Sequence, residues 1–138
     1  MLNYLNKISV ENYNALRKSV GWPEIEKNQA RTGLINTIYL LAAVEDGQTI
    51  GMARLVGDGG YVNYIADVVV RPDCQGRGIG KYMLQQILDY IDGNLTAGQT
   101  AFVCLMAAHG KEPFYEKLGF SRRPNEKMGS GMDLWVRK

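Results

Sequence analysis

The stretch that decides the fold is Val68-Val69-Val70-Arg71-Pro72-Asp73-Cys74-Gln75-Gly76-Arg77-Gly78-Ile79-Gly80-Lys81. The three valines end a largely apolar segment, which predicts a buried strand. Apolar residues from Ile79 onward recur at helical spacing, which predicts an amphipathic helix. Glycines between the two segments allow positive φ and close approach of the backbone to a ligand. A strand that runs through a glycine-rich loop into a helix is therefore a candidate anion-binding unit.

The start of this helix has the chemistry of an anion site. Its first amides have no acceptor within the helix, and the helix dipole adds partial positive charge at the same end. Arg77 and Lys81 place two cationic side chains nearby. A diphosphate suits this environment. The alternative is that the glycines only form a tight turn, and it stays open on the loop alone, because short glycine motifs give many false matches.

Two other nucleotide-binding motifs do not fit the loop. A Walker A loop needs glycine where Gln75 stands, and Ser or Thr after Lys81, where the chain has Tyr82. The dinucleotide fingerprint begins with Gly76 and Gly78, but its third glycine position is Lys81. The loop also follows β-hairpins, whereas the fingerprint belongs near the start of a parallel sheet.

Outward from the loop, the chain alternates between predicted strands and helices. Predicted strands cover 3–8, 39–44, 48–56, 61–70, 100–106, 120–123 and 132–137. Predicted helices cover 9–20 with Ser9 as N-cap, 24–36, 79–92 ended by Gly93, and 111–118. Asp46-Gly47 predicts a tight hairpin turn. This order predicts one α+β domain, residues 1–138, with a mixed, mostly antiparallel central sheet flanked by helices.

Two motifs in this order resemble the GNAT superfamily of N-acyltransferases. Gln75, Gly78 and Gly80 match its Gln/Arg-x-x-Gly-x-Gly/Ala pyrophosphate loop. The segment Pro113-Phe114-Tyr115-Glu116-Lys117-Leu118-Gly119-Phe120 resembles its Phe-Tyr-x-x-x-Gly-Phe motif, one helix and one strand further on. The element order is similar over essentially the whole chain. The resemblance implies a GNAT-like acyl-CoA N-acyltransferase fold and an acetyl-CoA-dependent N-acetyltransferase.

The resemblance also implies roles for individual residues. Backbone groups of Val68, Val69 and Val70 would bind the pantetheine arm as an added strand. The pyrophosphate would be held by the loop residues, namely Gln75, Gly76, Arg77, Gly78, Ile79, Gly80 and Lys81. Tyr115 would be the general acid that protonates the departing CoA thiolate. Its structural alternative is a half-buried aromatic side chain beside Phe114 and Phe120.

The chain departs from the family at one cofactor contact. Many members carry Asn before the short helix, but this segment is Ala107-Ala108-His109-Gly110-Lys111-Glu112. His109 could replace that contact or be a surface residue. Lys111 could meet the cofactor phosphates or be a solvated lysine at the start of the helix.

The base that deprotonates the amine is not identified by a motif. Asp67 is the candidate, because a carboxylate in an apolar strand is costly unless it is paired or used. The alternatives are an Asp satisfied by backbone amides or by an arginine such as Arg54, and removal of the proton by a water chain.

These observations favour direct acetyl transfer from acetyl-CoA to a primary amine of a small molecule in a ternary complex. A protein or peptide N-acetyltransferase and a weakly catalytic CoA-binding sensor or interaction domain are the alternatives. We expect no covalent intermediate, because Cys74 has no His nearby in sequence and is predicted to be exposed, while Cys104 is predicted to be a core residue.

Composition excludes several other classes. The net charge of +2 comes from interspersed charges, which argues against nucleic acid as a partner. No apolar run is long enough to span a membrane. Two cysteines and one histidine are too few for a structural zinc site, so we expect no metal. Free thiols favour the cytoplasm. Homodimers are common in the family, so a homodimer is a further expectation.

Overall fold

Five strands form one sheet in the order β1-β2-β3-β4-β5 in the computed structural model, which describes all residues from Met1 to Lys138. The strands are β1 (Leu2–Leu5), β2 (Tyr39–Glu45), β3 (Gln48–Gly57), β4 (Val62–Val70) and β5 (Phe102–Leu105). The helices are α1 (Val10–Ser19), α2 (Lys27–Ile35), α3 (Ile79–Asn94) and α4 (Glu112–Glu116). The chain divides into two compact units, Met1–Leu105 and Met106–Lys138.

The sheet has the predicted mixed character. Strands β1 to β4 pair antiparallel with their neighbours, and β5 pairs parallel with β4. The hairpin between β2 and β3 turns at Asp46 and Gly47, with φ of 50° and 77°. Positive φ at both central residues is what a two-residue hairpin of the right twist requires, so the prediction at Asp46-Gly47 is confirmed.

Local side-chain hydrogen bonds set the helix starts. The Ser9 side chain accepts from the Asn12 amide, which confirms the predicted N-cap of α1. Helix α2 begins later than predicted, because Glu26 caps it and Ile25 is held outside it. The Ile25 amide donates to Asn14 Oδ1, and the Asn14 side-chain amide donates to the Ile25 carbonyl. Gly93 does not end α3, which continues to Asn94.

Helices pack on both faces of the sheet. The buried face of α3 consists of Ile79, Met83, Leu84, Ile87 and Ile91, as the periodicity predicts. Gly51 faces this helix, because a Cβ at this position would lie 3.4 Å from the Met83 methyl group. The next residue, Met52, packs with Tyr13 and Leu16 of α1. Since neighbouring strand residues point to opposite faces, α1 lies on the other side.

The second unit contains α4 and no strand. The predicted closing strands 120–123 and 132–137 are therefore wrong. Side chains of the last segment are solvent-exposed, with Met132 at 87% and Leu134 at 86% exposure. Strand-like alternation alone does not produce a strand, because a strand also needs a hydrogen-bonded neighbour.

Cys74 differs from its prediction as well. It is buried, whereas the polar sequence around it predicts exposure. The reason is a short 3₁₀ turn, Pro72–Cys74, which brings the Cys74 Sγ to 3.6 Å from Asp73 Oδ1. Cys104 is half-buried, and neither cysteine forms a disulfide. None of the helices combines the length and apolar character needed to cross a membrane.

Candidate active site

The glycine loop opens directly into α3. Gly76 and Gly78 have φ of 79° and 80°, and Gly78 is the N-cap of the helix. The Tyr82 amide makes the first hydrogen bond of the helix, to the Gly78 carbonyl at 3.0 Å. The preceding amides, those of 79–81, therefore lie at an uncapped helix start. No heavy atom lies within 4 Å of a Cβ built on Gly76 or Gly78, so the space in front of the loop is open.

Two exposed ion pairs brace this loop. Arg77 donates to both carboxylate oxygens of Glu45 on β2, at 3.0 and 2.6 Å, and this pairing lowers the pKa of Glu45. Arg71 donates to both oxygens of Asp73, at 2.8 and 2.7 Å, and lowers the pKa of Asp73 to about 2. The charge of Arg77 is thus matched by Glu45, whereas Lys81 makes no ion pair. Of the two predicted cations, Lys81 is the one left for an anionic ligand.

Strand β4 parts from β5 halfway along its length. The parallel pairing covers Val62–Ile65 of β4 and ends at Ile65 opposite Leu105. Beyond this point Ala66, Val69 and Val70 continue to pair with β3, and no residue of 66–70 has a partner on the β5 side. A backbone edge without a partner strand is where an extended ligand can add hydrogen bonds.

Alternation along β4 decides which backbone groups face this open side. The Arg71 amide donates to the Ile50 carbonyl of β3, so Val69, two residues earlier, also turns its backbone toward β3. Val68 and Val70 face the open side. The side chain of Gln75 donates to the Val70 carbonyl at 2.9 Å, which ties the loop to the end of the strand. The contacts of Val68 to Val70 with pantetheine stay a prediction. Of these three residues, Val68 and Val70 have backbone groups on the side where such contacts could form.

Asp67 occupies a β-bulge next to this edge. Arg54 pairs with Ala66 and Met52 pairs with Val69, so two residues of β4 oppose one residue of β3. Asp67 has a φ of 52°, a conformation that is uncommon for a residue with a side chain. Such strain persists only where surrounding contacts fix it.

Three side chains fix Asp67. Its Oδ1 accepts from Arg17 Nη1 at 2.8 Å, and its Oδ2 accepts from Arg54 Nε at 2.7 Å and from the Tyr13 hydroxyl at 2.8 Å. Only 10% of the Asp67 side chain is exposed. Burial and the neighbouring carboxylate raise the pKa of Tyr13, so this phenol stays protonated as a donor. Asp67 thus has the arginine partner that is the structural alternative to a catalytic base.

Both arginines are themselves anchored. Arg54 Nη1 donates to Thr37 Oγ1 at 3.1 Å and to the Gly33 carbonyl at 3.4 Å, near the end of α2. Arg17 Nε donates to the Pro23 carbonyl at 2.9 Å, and its guanidinium lies 5.4 Å from the Trp22 ring centroid. Sequence reasoning found Arg54 but missed Tyr13 and Arg17. Their four-residue spacing on α1, which puts both on one helix face, was the available signal.

Tyr115 lies in the second unit, on α4. It is 8% exposed and makes edge-to-face contacts with Phe114 and Phe120, whose ring centroids lie 5.0 and 6.0 Å away. Lys111, the N-cap residue of α4, is exposed, and so is His109. The structure does not test the predicted roles of Tyr115 and Lys111. No three His, Cys, Asp or Glu side chains are grouped so that they could hold a metal ion.

Relatives of known sequence agree on one activity. The uncharacterized N-acetyltransferase ycf52 of Pyropia yezoensis is 29% identical over 122 residues, covering 86% of this chain and 68% of the relative. Serotonin N-acetyltransferase 2 of Oryza sativa subsp. japonica is 28% identical, covering 81% of this chain and 56% of the relative. Histone acetyltransferase TAP1 of Glycine max is 29% identical, covering 85% of this chain and 54% of the relative.

Solved structures give the same result for the fold. A probable acetyltransferase of unknown function from meticillin-resistant Staphylococcus aureus superposes with a TM-score of 0.88 and 28% identity, covering 99% of this chain and 100% of the other. An acetyltransferase of Clostridium acetobutylicum, solved with acetyl-CoA, has a TM-score of 0.69 and 21% identity, covering 100% and 96%. The family model described as "Acetyltransferase (GNAT) domain" matches residues 36–122. Because this match takes in more than half of the chain, including β4, the glycine loop and Tyr115, the protein is an acyltransferase of the GNAT N-acetyltransferase family.

Proposed function

We propose that this enzyme transfers the acetyl group of acetyl-CoA to a primary amine of a small molecule, by direct attack in a ternary complex. The observation that carries the proposal is the opening of β4 beyond Ile65, which leads straight to the glycine loop and the start of α3. An extended amide arm followed by a diphosphate matches that sequence of backbone edge and anion site.

The donor is held mainly by backbone groups. Val68 and Val70 offer hydrogen bonds to the pantetheine amides, and the amides of 79–81 point at the pyrophosphate with Lys81 as the free cation. Lys111 is a further candidate for the cofactor phosphates. The acetyl-CoA described with the Clostridium acetobutylicum neighbour supports this choice of donor.

The transfer step needs two proton movements. The amine nitrogen forms a bond to the acetyl carbon, the carbon–sulfur bond breaks, and the sulfur leaves with the bonding electrons. The attacking nitrogen loses a proton, and Tyr115 gives its phenolic proton to the thiolate. With three donors already on the Asp67 carboxylate, we propose that water removes the proton of the amine and that Asp67 positions β4.

We take the fixed connection between α1 and α2 as the feature that favours a small acceptor over a large one. Arg17 binds the Pro23 carbonyl and stacks near Trp22, so this connection is held against the helix that covers β3 and β4. Named relatives point in both directions, since one is a serotonin and another a histone acetyltransferase. A protein or peptide acceptor is therefore the alternative to be tested.

We also propose that the enzyme is cytoplasmic and homodimeric. Neither of its two cysteines forms a disulfide, as expected in a reducing compartment. Its last residues expose several large apolar side chains, as expected of a contact surface.

The decisive experiment measures thiol release from acetyl-CoA with a panel of alkylamines, arylalkylamines, amino acids and peptides. Turnover with a small amine at least tenfold above that with any peptide supports the proposal. Release with peptides alone would assign the alternative. Release without any amine dependence would argue against acetyl transfer to nitrogen.

The glycine loop has a matched control within the same helix. Gly80→Val places a side chain in the first turn of α3, whereas Gly93→Val places the same side chain in its last turn, at an exposed position with open space around it. Both variants carry the same cost in helix propensity. Calorimetric titration should show acetyl-CoA affinity reduced by about tenfold or more, roughly 1.4 kcal/mol, for Gly80→Val only. Equal affinity in the two folded variants would remove the loop from the donor site.

A further inference from the structure

A cleft of about 370 Å³ lies between α2 and the start of β2, and we call it the α2 cleft. Its lining residues come from three segments, 6–10, 31–35 and 37–40. Asn6 Nδ2 donates to the Leu40 carbonyl at 2.9 Å, which joins the β1–α1 connection to β2. Thr37 Oγ1 donates to the Gly33 carbonyl at 3.0 Å, which joins the α2–β2 connection to α2. The cleft is therefore formed by the chain itself, and its volume is typical of small-molecule pockets, roughly 300–1,000 Å³.

The inner surface of the α2 cleft is apolar. Ile8 and Leu34 pack against the core cluster around Tyr13 and Leu16, and both also line the cleft. Ile35 lines it too, and this side chain is 75% exposed. Removing apolar surface from water is favourable, so a ligand with an apolar body gains free energy by covering these side chains.

Two cationic side chains and no acidic one line the α2 cleft. They are Lys7 and Arg31, both exposed, and neither forms an ion pair. Arg31 is the only arginine of the first unit that binds no carboxylate, since the other four each bind Asp or Glu. Its Nη1 donates to Asn28 Oδ1 at 2.9 Å, which leaves further N–H groups of the guanidinium for a ligand. A planar guanidinium is well suited to a carboxylate.

The α2 cleft is separate from the predicted donor site. Strands β2 and β4 both run antiparallel to β3, so the start of β2 lies at the opposite end of the sheet from the glycine loop, which follows the end of β4. No residue of β3, β4 or the glycine loop lines the cleft. Thr37 accepts a hydrogen bond from Arg54, so the cleft is connected to the Asp67 cluster without including it. A ligand in the cleft and acetyl-CoA can therefore be bound at the same time.

We propose that the α2 cleft binds an organic carboxylate with an apolar body. The carboxylate binds Lys7 and Arg31, and the apolar part lies against Leu34 and Ile35. Cations without an acidic partner favour an anion, and the apolar inner surface favours an amphiphilic molecule over an inorganic ion. The site goes beyond the proposed acetyl transfer and does not depend on it, because its residues are not those of the donor site.

Calorimetric titration of the full-length protein with phenylbutyrate tests both halves of the ligand. We expect a dissociation constant of about 1 mM or below. Phenylbutanol keeps the ring but has no charge, and butyrate keeps the charge but has no ring. Each should bind about tenfold more weakly or worse, because each loses one of the two kinds of contact. Absence of phenylbutyrate binding, or equal binding of either analogue, overturns the proposal.

Two double variants assign the binding to the cleft. Lys7→Gln, Arg31→Gln removes both cations that line it and should weaken phenylbutyrate binding by about tenfold or more. The control, Lys18→Gln, Lys27→Gln, removes the same charge at positions outside the cleft and should leave the affinity unchanged. All four side chains are exposed, so both variants should fold. An unchanged affinity in the first variant, or an equal loss in the two, contradicts the site.

Amide chemical shifts of isotope-labelled protein report where phenylbutyrate binds. Its addition should shift resonances of 6–10 and 31–40 and leave those of 75–81 in place, with or without saturating acetyl-CoA. Displacement by acetyl-CoA, or shifts centred on the glycine loop, would show that phenylbutyrate occupies the donor site and would refute a separate one. Because phenylbutyrate binding is also measured without acetyl-CoA, a failure of the acetyl-transfer proposal would be recognised separately.

Discussion

Asp67 and Tyr115 are both largely buried polar side chains, and the groups that contact them differ. Asp67 is fixed by two guanidinium groups and a phenol, which tie α1, β3 and β4 together at the bulge. Tyr115 sits between two aromatic rings on a five-residue helix. A carboxylate matched in this way is expected to serve the fold, whereas Tyr115 is predicted to act in the chemistry. Substitution of Asp67 should therefore change mainly the stability of the fold, and substitution of Tyr115 mainly the turnover.

The largest effect is expected for Asp67→Ala. Removal of the carboxylate leaves Arg17 and Arg54 largely buried without a counter-charge, which typically costs about 3–5 kcal/mol. Urea denaturation followed by circular dichroism measures this loss. Asp73→Ala is the control, because its carboxylate also binds an arginine but is exposed. Asp73→Ala should leave the urea concentration at the denaturation midpoint unchanged. A fully stable Asp67→Asn protein that has lost turnover would instead identify Asp67 as the base.

Tyr115→Phe should separate chemistry from stability. The ring contacts are kept, so the denaturation midpoint and acetyl-CoA affinity should barely change. Loss of a general acid costs about 100- to 10,000-fold, and the lower end is expected because a thiolate is a good leaving group. Steady-state turnover on the best amine provides the measurement, with exposed Tyr61→Phe as the matched control. A rate within about threefold of wild type, with chemistry rate-limiting, would return Tyr115 to a packing role.

Tyr13→Phe removes one of the three donors to Asp67 and sharpens the comparison. We expect a loss of about 1.5–3 kcal/mol at neutral pH, since the bond is to a charged group. The pKa of Tyr13 is raised in the folded state. Its contribution is therefore present below pH 10 and is lost as pH rises through the folded-state pKa. The free energies of unfolding of wild type and Tyr13→Phe should converge above pH 10. A constant difference between the two across the pH range would contradict this role of the Tyr13–Asp67 hydrogen bond.

The smallest effect is expected in acid. Asp73 has its pKa lowered to about 2 by Arg71, from an ordinary value of 3.8. The contribution of this pair is present above pH 3.8 and is lost as pH falls toward 2. Since the pair is exposed, Asp73→Asn should follow the wild-type acid-unfolding curve closely. A clear separation of the two curves between pH 4 and 2 would show that the loop brace matters to folding.

The sequence was sufficient for the elements that depend on local patterns. Ser9, Asp46-Gly47 and the apolar face of α3 were predicted because capping, turn and periodicity rules act over a few residues. Two features depend on long-range contacts, and one was predicted only in part and the other wrongly. The Asp67 cluster joins residues up to 54 positions apart. Residues 132–137 have strand-like alternation, but alternation does not say whether a neighbouring strand is present.

The hydrogen bond from Gln75 to the Val70 carbonyl has a consequence for selectivity. It occupies one of the two carbonyls on the open edge and leaves the Val68 amide, the Val68 carbonyl and the Val70 amide, of which the Val68 carbonyl and the Val70 amide form one acceptor–donor pair for a parallel strand. A parallel extended ligand fills such a pair with one peptide-like residue. We therefore expect this edge to bind an extended ligand in one register only. If the pantetheine arm binds this edge as proposed, acyl carriers whose amides lie at another distance from the diphosphate are expected to bind less tightly, because their amides would not reach this pair.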